Sequence, residues 1–243
     1  TVQRRPLKLR RISRKDQEKL EAACGTGFSV CWHGGLVNRC RIVRLLFLSG
    51  KLRLTLEEAY LVHSRVVEWG ARHSSDRIPD KALGVDPLTV KVLRWAMSSW
   101  SRVRFLNKYA LGYLIPCLMM DVLPAIACGT HFTVQLDRVI DGVADRVAAG
   151  RTIQRIWLTA ASLQLQSQPQ MSALIFSGYY RRGVIFSTNS RSIEQVRKVN
   201  YLYSQLTGRG AEMTLWFCRI GYGAPAKARS LRKPLQDMII GTG

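Results

Sequence analysis

Apolar residues recur at helical spacing over several long stretches of the chain. The clearest stretch is 55–73, where Leu61, Val62, Val66 and Trp69 follow the period of one helical face. The same test predicts helices over residues 12–25, 38–50, 55–73, 88–109, 151–165 and 192–208, and a helix or turn over 138–150.

Other stretches have the shorter period of strands. Residues 28–32 alternate between apolar and polar positions, and 131–137 and 212–223 are also typical of strands. Residues 171–180 fit neither period, so we expect irregular structure there. Strands separated by helical stretches indicate an α+β fold with one sheet, and no linker divides the chain, which predicts a single domain over 1–243.

Four predicted helices begin with residues that are typical of N-terminal caps. Ser13 is expected to cap the first helix, and Asp86 followed by Pro87 is typical of a helix start. Two capping boxes are predicted, one formed by Thr55 with Glu58 and one by Ser192 with Gln195.

The most apolar stretch, 110–129, is nearly long enough to span a bilayer. It is interrupted by Pro116, Asp121 and Pro124, and a carboxylate in mid-span is costly in hydrocarbon. We therefore expect a buried loop-and-strand segment and no membrane span.

The chain carries 37 Lys and Arg against 16 Asp and Glu, a net charge of +21. Such a charge favours anionic partners, which include nucleic acid, phosphorylated cofactors and anionic membrane surfaces. A basic surface that serves only solubility is the alternative. With 47% hydrophobic residues the chain also has enough apolar material for a core.

The six cysteines and four histidines show no metal-binding spacing, so no metal site is expected. We expect reduced thiols and a cytoplasmic location. The sequence begins at Thr1 and no signal peptide is visible, so it fits either a trimmed chain or a piece of a longer one.

Three segments, taken in order, resemble the nitroreductase-like FMN-dependent flavoproteins. "AGRTIQRIWLTAASLQLQSQPQM" (149–171) is similar to that family's helix and proline-containing loop. "LWFCRIGYGAPAKARSLRKPLQDMI" (215–239) is similar to its last strand and the following Arg-x-Pro segment, and "TVQRRPL" (1–7) to its N-terminal phosphate motif. "VVEWGARHSSDRIPDKALGVD" (66–86) resembles the divergent Acg-type branch, which carries a lid.

The resemblance implies a three-layer fold, with a central mixed or antiparallel sheet flanked by helices, and an intertwined homodimer that binds FMN at the subunit interface. It also implies a lid-like helical insertion over about 51–125. If the protein binds flavin without turnover, this insertion would cover the flavin, and its Trp69, Trp95, Trp100, Met119 and Met120 would fill the pocket.

The resemblance also implies the cofactor-binding residues. Arginine offers forked donors that match phosphate oxygens. Backbone N–H groups of Met171 and Ser172 would face the N5 and O4 atoms of the flavin, while Gly150 and Arg151 would lie at the start of the 151–165 helix, at the dimer and flavin edge. The implied phosphate ligands are Thr1, Arg4, Arg5, Arg229 and Arg232, and the implied ring-facing loop is Pro169, Gln170, Met171 and Ser172.

Simpler interpretations stand beside these. The arginines could be surface residues of a basic protein, and the 168–172 segment an ordinary helix end with a proline stop. The sequence also departs from the family in one segment and at one residue. Residues 25–38 lack its Pro-Ser-x-x-Asn-x-Gln-Pro-Trp loop, and Gln164 replaces a favoured glycine.

Three functions follow as hypotheses. The first is an FMN-dependent oxidoreductase that transfers hydride to a nitro compound, a quinone or a biosynthetic intermediate, with NAD(P)H as the candidate electron donor. The second is a flavin-binding or flavin-sequestering protein without turnover. The third is a nucleic-acid-binding protein that uses the basic run 4–15, although aromatic residues are not interleaved with that run. No catalytic acid, base or nucleophile stands out.

Overall fold

The computed structural model describes residues 2–239 and has a mixed α+β fold. Thr1 therefore lies outside the described residues. The helices are α1 Arg14–Ala22, α2 Leu36–Thr55, α3 Glu57–Val66, α4 Pro87–Ala96, α5 Trp100–Tyr109, α6 Leu114–Cys117, α7 Leu123–Ile126, α8 Gly142–Ser162, α9 Met171–Arg181 and α10 Ser190–Thr207. The strands are β1 Phe28–His33, β2 Val67–Glu68, β3 His73–Ser74, β4 Ile78–Pro79, β5 Thr130–Leu136, β6 Gln166–Pro169, β7 Thr214–Gly221 and β8 Arg229–Ser230.

Four strands form an antiparallel sheet in the order β1-β5-β7-β6. The three strands predicted from the sequence are confirmed as β1, β5 and β7. The fourth, β6, runs antiparallel to β7, with Gln166 opposite Gly221 and Pro169 opposite Cys218. β6 is polar and short, so its sequence carries little strand signal.

Alternate residues of β7 point to opposite faces of the sheet, and each face is covered by helices. Phe217 packs into a cluster with α2, α9 and α10. Trp216 and Cys218 pack on the other side with α1 and α8. This alternation follows from the two-residue period of a strand. The sheet thus lies between two helical layers.

The predicted insertion has a small core of its own. Val67, Leu83 and Val85 are buried together, and Trp69 and Met120 pack against them. Two short parallel pairings, β2 with β4 and β3 with β8, belong to this region or join it to the C-terminal segment.

Several element predictions need correction. The helix predicted over 55–73 ends at Val66, where short strands follow. The stretch 88–109 is two helices, because Ser98 bonds back to the carbonyl of Trp95 and ends α4. The helix predicted over 151–165 begins at Gly142. The predicted stop at Gly50 is wrong, because α2 continues to Thr55 and Gly50 leaves room for Asp121. Residues 171–181, expected to be irregular, form α9.

The apolar stretch 110–129 is also helical where a loop and strand were expected. Pro116 and Pro124 lie in the first turns of α6 and α7, where a backbone N–H needs no helical partner. A π-helical segment, 118–122, joins the two helices. Within residues 2–239 no single helix is long and apolar enough to cross a membrane. As a pair, α5 and the 114–126 segment pass that test of length and composition, with an 89° bend between them.

Two predicted caps are confirmed and two are wrong. Ser13 accepts a hydrogen bond from the N–H of Asp16, and Asp86 accepts from two N–H groups of α4. Thr55 ends α2 and donates to the carbonyl of Lys51, so it does not cap α3. Asn189, not Ser192, caps α10. Thr55 is the last residue of α2, one before the N-cap of α3, and Ser192 is the third residue of α10.

Candidate functional site

A buried arginine on β7 organises the centre of the candidate site. The side chain of Arg219 is fully buried, and burial lowers its pKa to about 10. It therefore stays charged at neutral pH. Its Nε donates to Gln168 Oε1 at 2.7 Å, and its Nη1 donates to the carbonyl of Pro124 at 3.3 Å. Its Nη2 donates to the carbonyls of Gln3 and Arg5, at 2.9 and 2.8 Å.

These bonds hold the N-terminal segment along β6. Val2 forms a parallel bridge with Ser167, and the N–H of Gln3 donates to the carbonyl of Ser167 at 3.1 Å. The side-chain amide of Gln3 donates to the carbonyl of Ala224 at 2.7 Å. The start of the chain therefore lies between β6 and the segment that follows β7.

A pocket of 170 Å³ opens where these segments meet. The cationic residues that line it are Arg5 from the N-terminal segment, Lys81 from the insertion and Lys227 from the C-terminal segment. Among the described lining residues none is acidic. Cations from three separate segments without a carboxylate between them favour a bound anion.

Some of the phosphate ligands predicted from the sequence line this pocket and others do not. Arg5 lines it. Arg4 does not line it, and its Nη1 donates to the carbonyl of Ala82 at 3.1 Å. Burial, and then the charge of Arg53, lowers the pKa of Arg4. The side chain of Arg229, on β8, is exposed, as is that of Arg232, and neither lines the pocket.

Sequence reasoning missed Lys81, Lys227 and Arg219. Lys227 stands two residues before Arg229 in the segment that resembles the family, so position alone could have suggested it. Lys81 also lies in a segment that resembles the family, 66–86, but only the folding of the insertion brings it to the pocket. Arg219 was read as part of a strand.

The predicted ring-facing loop is the start of a helix. Pro169 ends β6, Gln170 precedes α9, and Met171 and Ser172 are its first two residues. The interpretation as a helix end with a proline stop is wrong, since α8 ends at Ser162 and a strand intervenes.

Hydrogen-bonding groups at the start of α9 lack partners. No side chain caps it, so the N–H groups of Met171 and Ser172 have no acceptor from Gln170. The positive end of the helix dipole adds to these donors. The side chain of Gln170 is 8% exposed, and its Oε1 is buried without a hydrogen-bond partner among the described residues.

The N-terminal segment joins the pocket wall to the strand that leads into this helix start. The N-terminal segment bonds to Ser167, three residues before Gln170. At a strand rise of roughly 3.3 Å per residue, Ser167 and Gln170 are about 10 Å apart.

Gly150 and Arg151 are not brought into this pocket. Both lie in the middle of α8 and are exposed, where a helix start was expected. α8 packs against α1, and its Thr152 donates to the carbonyl of Cys24. This contact is on the sheet face that α2 and α10 do not cover.

Two sets of contacts hold the insertion to the rest of the chain. Arg4 bonds to Ala82, whose turn also supplies Lys81 to the pocket wall. β3 pairs with β8, and the N–H of Leu231 donates to the carbonyl of Ser74 at 2.6 Å. The insertion is thus held to both ends of the chain.

Other reactive groups are buried away from the pocket. His131 and Cys128 are in contact, but burial lowers the pKa of His131 to about 3 and raises that of Cys128 to about 11. A neutral thiol in an apolar interior is a poor nucleophile. Throughout the described part of the chain, no three His, Cys, Asp or Glu side chains are grouped so as to hold a metal ion.

Comparison with known proteins gives no relative from which a role could be transferred. No protein-family model matches the sequence, and no curated protein is significantly similar to it.

Proposed function

We propose that the protein is an FMN-dependent oxidoreductase of the nitroreductase-like kind, acting on a small nitro, quinone or related organic substrate. The observation that carries the proposal is the convergence of Arg5, Lys81 and Lys227 on one pocket, whose N-terminal wall pairs with the strand that leads into an uncapped helix start. These residues lie in the four segments that resemble the family, 1–7, 66–86, 149–171 and 215–239.

The three cations would hold the phosphate of FMN. A guanidinium and two ammonium groups supply charged donors, and hydrogen bonds to charged groups are stronger than neutral ones. The pocket volume of 170 Å³ suits a phosphate group with part of its chain. Arg219 would act as a positioning residue, because it fixes the backbone on which Arg5 is carried.

The start of α9 would face the flavin ring. When bound, FMN supplies hydride-transfer chemistry that no side chain can provide. The N–H groups of Met171 and Ser172 would donate to electron-rich ring atoms and stabilise negative charge there. Gln170 would gain the hydrogen-bond partner that its Oε1 otherwise lacks.

A homodimer forms part of the proposal. Leu36 and Val37, at the start of α2, are 81% and 66% exposed. Leu123 and Ile126 of α7 are also exposed, and Arg39 of α2 donates to the carbonyl of Ile126, which joins the two helices. Exposed apolar side chains gathered in this way are typical of an interface. Light scattering is expected to give twice the mass of 27.5 kDa, and a monomer would contradict the dimer.

Flavin sequestration without turnover is the second candidate. It is favoured by the turn at Lys81 and Ala82, which folds over the pocket and is tied down by Arg4. The two candidates differ in one measurement, anaerobic reduction of the bound flavin by NADH or NADPH. Bleaching of the flavin band supports the oxidoreductase, while a stable yellow protein supports sequestration.

The first test is the absorbance spectrum of the purified protein before and after addition of FMN and desalting. About one retained flavin per chain is expected. Lys227→Met should retain much less, and Arg151→Met, an exposed residue of α8, should match the wild type. A protein that releases all added FMN would overturn both flavin proposals, and a salt-dependent nucleic-acid titration would then test its +21 charge.

A further inference from the structure

Helix α4 of the insertion carries apolar side chains on its outer side as well as on its inner side. Val90 and Leu93 pack against the core of the insertion. Leu88, Val92 and Trp95 recur at the spacing of the opposite helical face, and they are 71%, 49% and 50% exposed. A surface helix usually presents polar residues on that side. The exposed stripe of α4 therefore suits contact with an apolar partner.

Helix α5 continues this exposed surface. The rings of Phe105 and Tyr109 are 5.0 Å apart, and the two residues are 58% and 65% exposed. Arg102 lies on the same side of α5, because the three residues span only about 60° around the helix axis. Its guanidinium lies 5.0 Å from the ring of Trp95, which joins the two helices. We call the surface formed by Leu88, Val92, Trp95, Phe105 and Tyr109 the outer face.

The part of the chain that forms the outer face is cationic. Residues 87–120 contain five Lys and Arg and no Asp or Glu. The five cations are exposed, and within the described residues none of them pairs with a carboxylate; they are Lys91, Arg94, Arg102, Arg104 and Lys108. A surface that is both apolar and cationic favours a partner that is apolar and anionic.

Three of these cations line one open groove beside Trp95. The groove lies between α3, α4 and the start of α5, and its cations are Lys91, Arg94 and Arg102. Among the described lining residues none is acidic. Charged Lys and Arg donors form strong hydrogen bonds with phosphate oxygens. The groove therefore suits a phosphate group that lies next to an aromatic ring.

Two other partners match the outer face less well. Single-stranded nucleic acid stacks on aromatic rings, but it would leave the aliphatic side chains of Leu88 and Val92 without an apolar partner. A second copy in a two-fold contact would place the same cations against each other, and like charges across an interface repel. An anionic bilayer offers both negative head groups and an apolar layer beneath them.

We propose that the outer face of the insertion binds the surface of a membrane that contains anionic phospholipids. Trp95, Phe105 and Tyr109 would enter the boundary between head groups and acyl chains, where Trp and Tyr side chains are enriched. Lys91 and Arg94 would bind lipid phosphates in the groove. The contact is with one leaflet, and it does not rest on the proposed flavin site.

The first test is co-sedimentation of the full chain with lipid vesicles. One set contains only phosphatidylcholine, and the other contains equal parts of phosphatidylcholine and phosphatidylglycerol. The mixed vesicles are expected to bind at least about tenfold more tightly, because each cation near an anionic surface adds to the affinity. Equal binding to both sets would overturn the role of the cations. Binding of single-stranded RNA without binding of vesicles would overturn the proposal.

The net charge of +21 attracts any anionic surface, so a variant that keeps the charge must locate the contact. The double variant Phe105→Ser, Tyr109→Ser should weaken vesicle binding by about tenfold or more, because two rings lose their burial in the interface. Its control is Ile193→Ser, Tyr201→Ser on α10, whose residues are 47% and 62% exposed. The control should bind as the wild type does, and equal binding by both variants would overturn the location.

A second pair of variants tests the cations at equal net charge. Lys91→Gln with Arg94→Gln removes two exposed cations of the groove, and Arg191→Gln with Arg197→Gln removes two exposed cations of α10. The first double variant should weaken vesicle binding by about tenfold or more, and the second by much less. Equal losses would show that only the overall charge attracts the vesicles.

A measurement on the unaltered protein guards against misfolding of the variants. Vesicles with brominated acyl chains quench the fluorescence of a tryptophan that enters the bilayer, and such quenching is expected for the half-exposed Trp95. Trp95→Phe should lose most of the quenching, while Trp157→Phe, at a position packed against Trp216, should keep it. Vesicle binding without quenching of the wild type would overturn the entry of the aromatic side chains.

Discussion

Arg219 Nε lies 2.7 Å from Gln168 Oε1. This hydrogen bond joins β7 to β6 next to the residue, Ser167, that pairs with the N-terminal segment. Through its other nitrogens the same guanidinium holds the carbonyls of Gln3 and Arg5. One buried side chain thus fixes the position of three segments that form the candidate site.

Replacing this anchor should be costly. Arg219→Met leaves several buried acceptors without donors, so the free energy of unfolding should fall by about 3–5 kcal/mol. Urea denaturation measures it. Arg151→Met, at an exposed position, should change it by less than about 0.5 kcal/mol. Similar losses in the two variants would contradict the anchoring role.

Two glutamines on either side of Pro169 should respond in opposite ways. Gln170 Oε1 has no partner, so Gln170→Leu should stabilise the flavin-free protein by about 1 kcal/mol and weaken FMN binding. Gln168 accepts from Arg219, so Gln168→Leu should destabilise it by about 1–3 kcal/mol. Thermal unfolding without flavin compares them, and a loss of stability in Gln170→Leu would show that its oxygen is satisfied.

The cations of the phosphate pocket should act on affinity and leave stability unchanged. Arg5→Met and Lys227→Met should each weaken FMN binding by roughly tenfold or more, because each removes a charged donor. Quenching of flavin fluorescence measures the affinity. Arg232→Met is the control, since Arg232 is exposed and outside the pocket. If all three variants weaken FMN binding equally, the loss reflects the lower net charge of the protein and not a specific phosphate site.

Replacing Gln164 with glycine should stabilise the folded protein. It ends the turn after α8 with φ +56°, a conformation that favours glycine. Gln164→Gly should therefore stabilise the protein by about 0.5–1 kcal/mol. Ser162→Gly, at the last residue of α8, should destabilise it by about 0.5 kcal/mol. Destabilisation by both changes would contradict the strained turn.

Stability should fall as the pH is lowered from about 6.5 to about 4. Burial lowers the pKa of His131 to about 3 and that of His33 to about 4, from an ordinary value of 6.5. In this window the unfolded chain binds protons that the native chain does not, so each histidine contributes a slope of up to about 1.4 kcal/mol per pH unit. Urea denaturation of His131→Leu should give a shallower slope, and an unchanged slope would indicate that His131 is protonated in the folded protein.

Local signals in the sequence determined many elements correctly. Ser13 and Asp86 cap their helices as predicted, because a cap depends on residues two or three positions away. The strands β1, β5 and β7 follow from short apolar runs. The helices α9 and α6 were missed, since their apolar residues did not show a clear period and proline was read as a breaker.

The sequence by itself determined the α+β class, the central strands and the basic character of the chain. Only the tertiary structure decided which cations meet, because Arg5, Lys81 and Lys227 come from distant parts of the chain. It likewise decided that Arg219 bonds to the carbonyl of Gln3, 216 residues away. A buried charge takes whichever acceptors the folded backbone brings to it, and no local pattern records that choice.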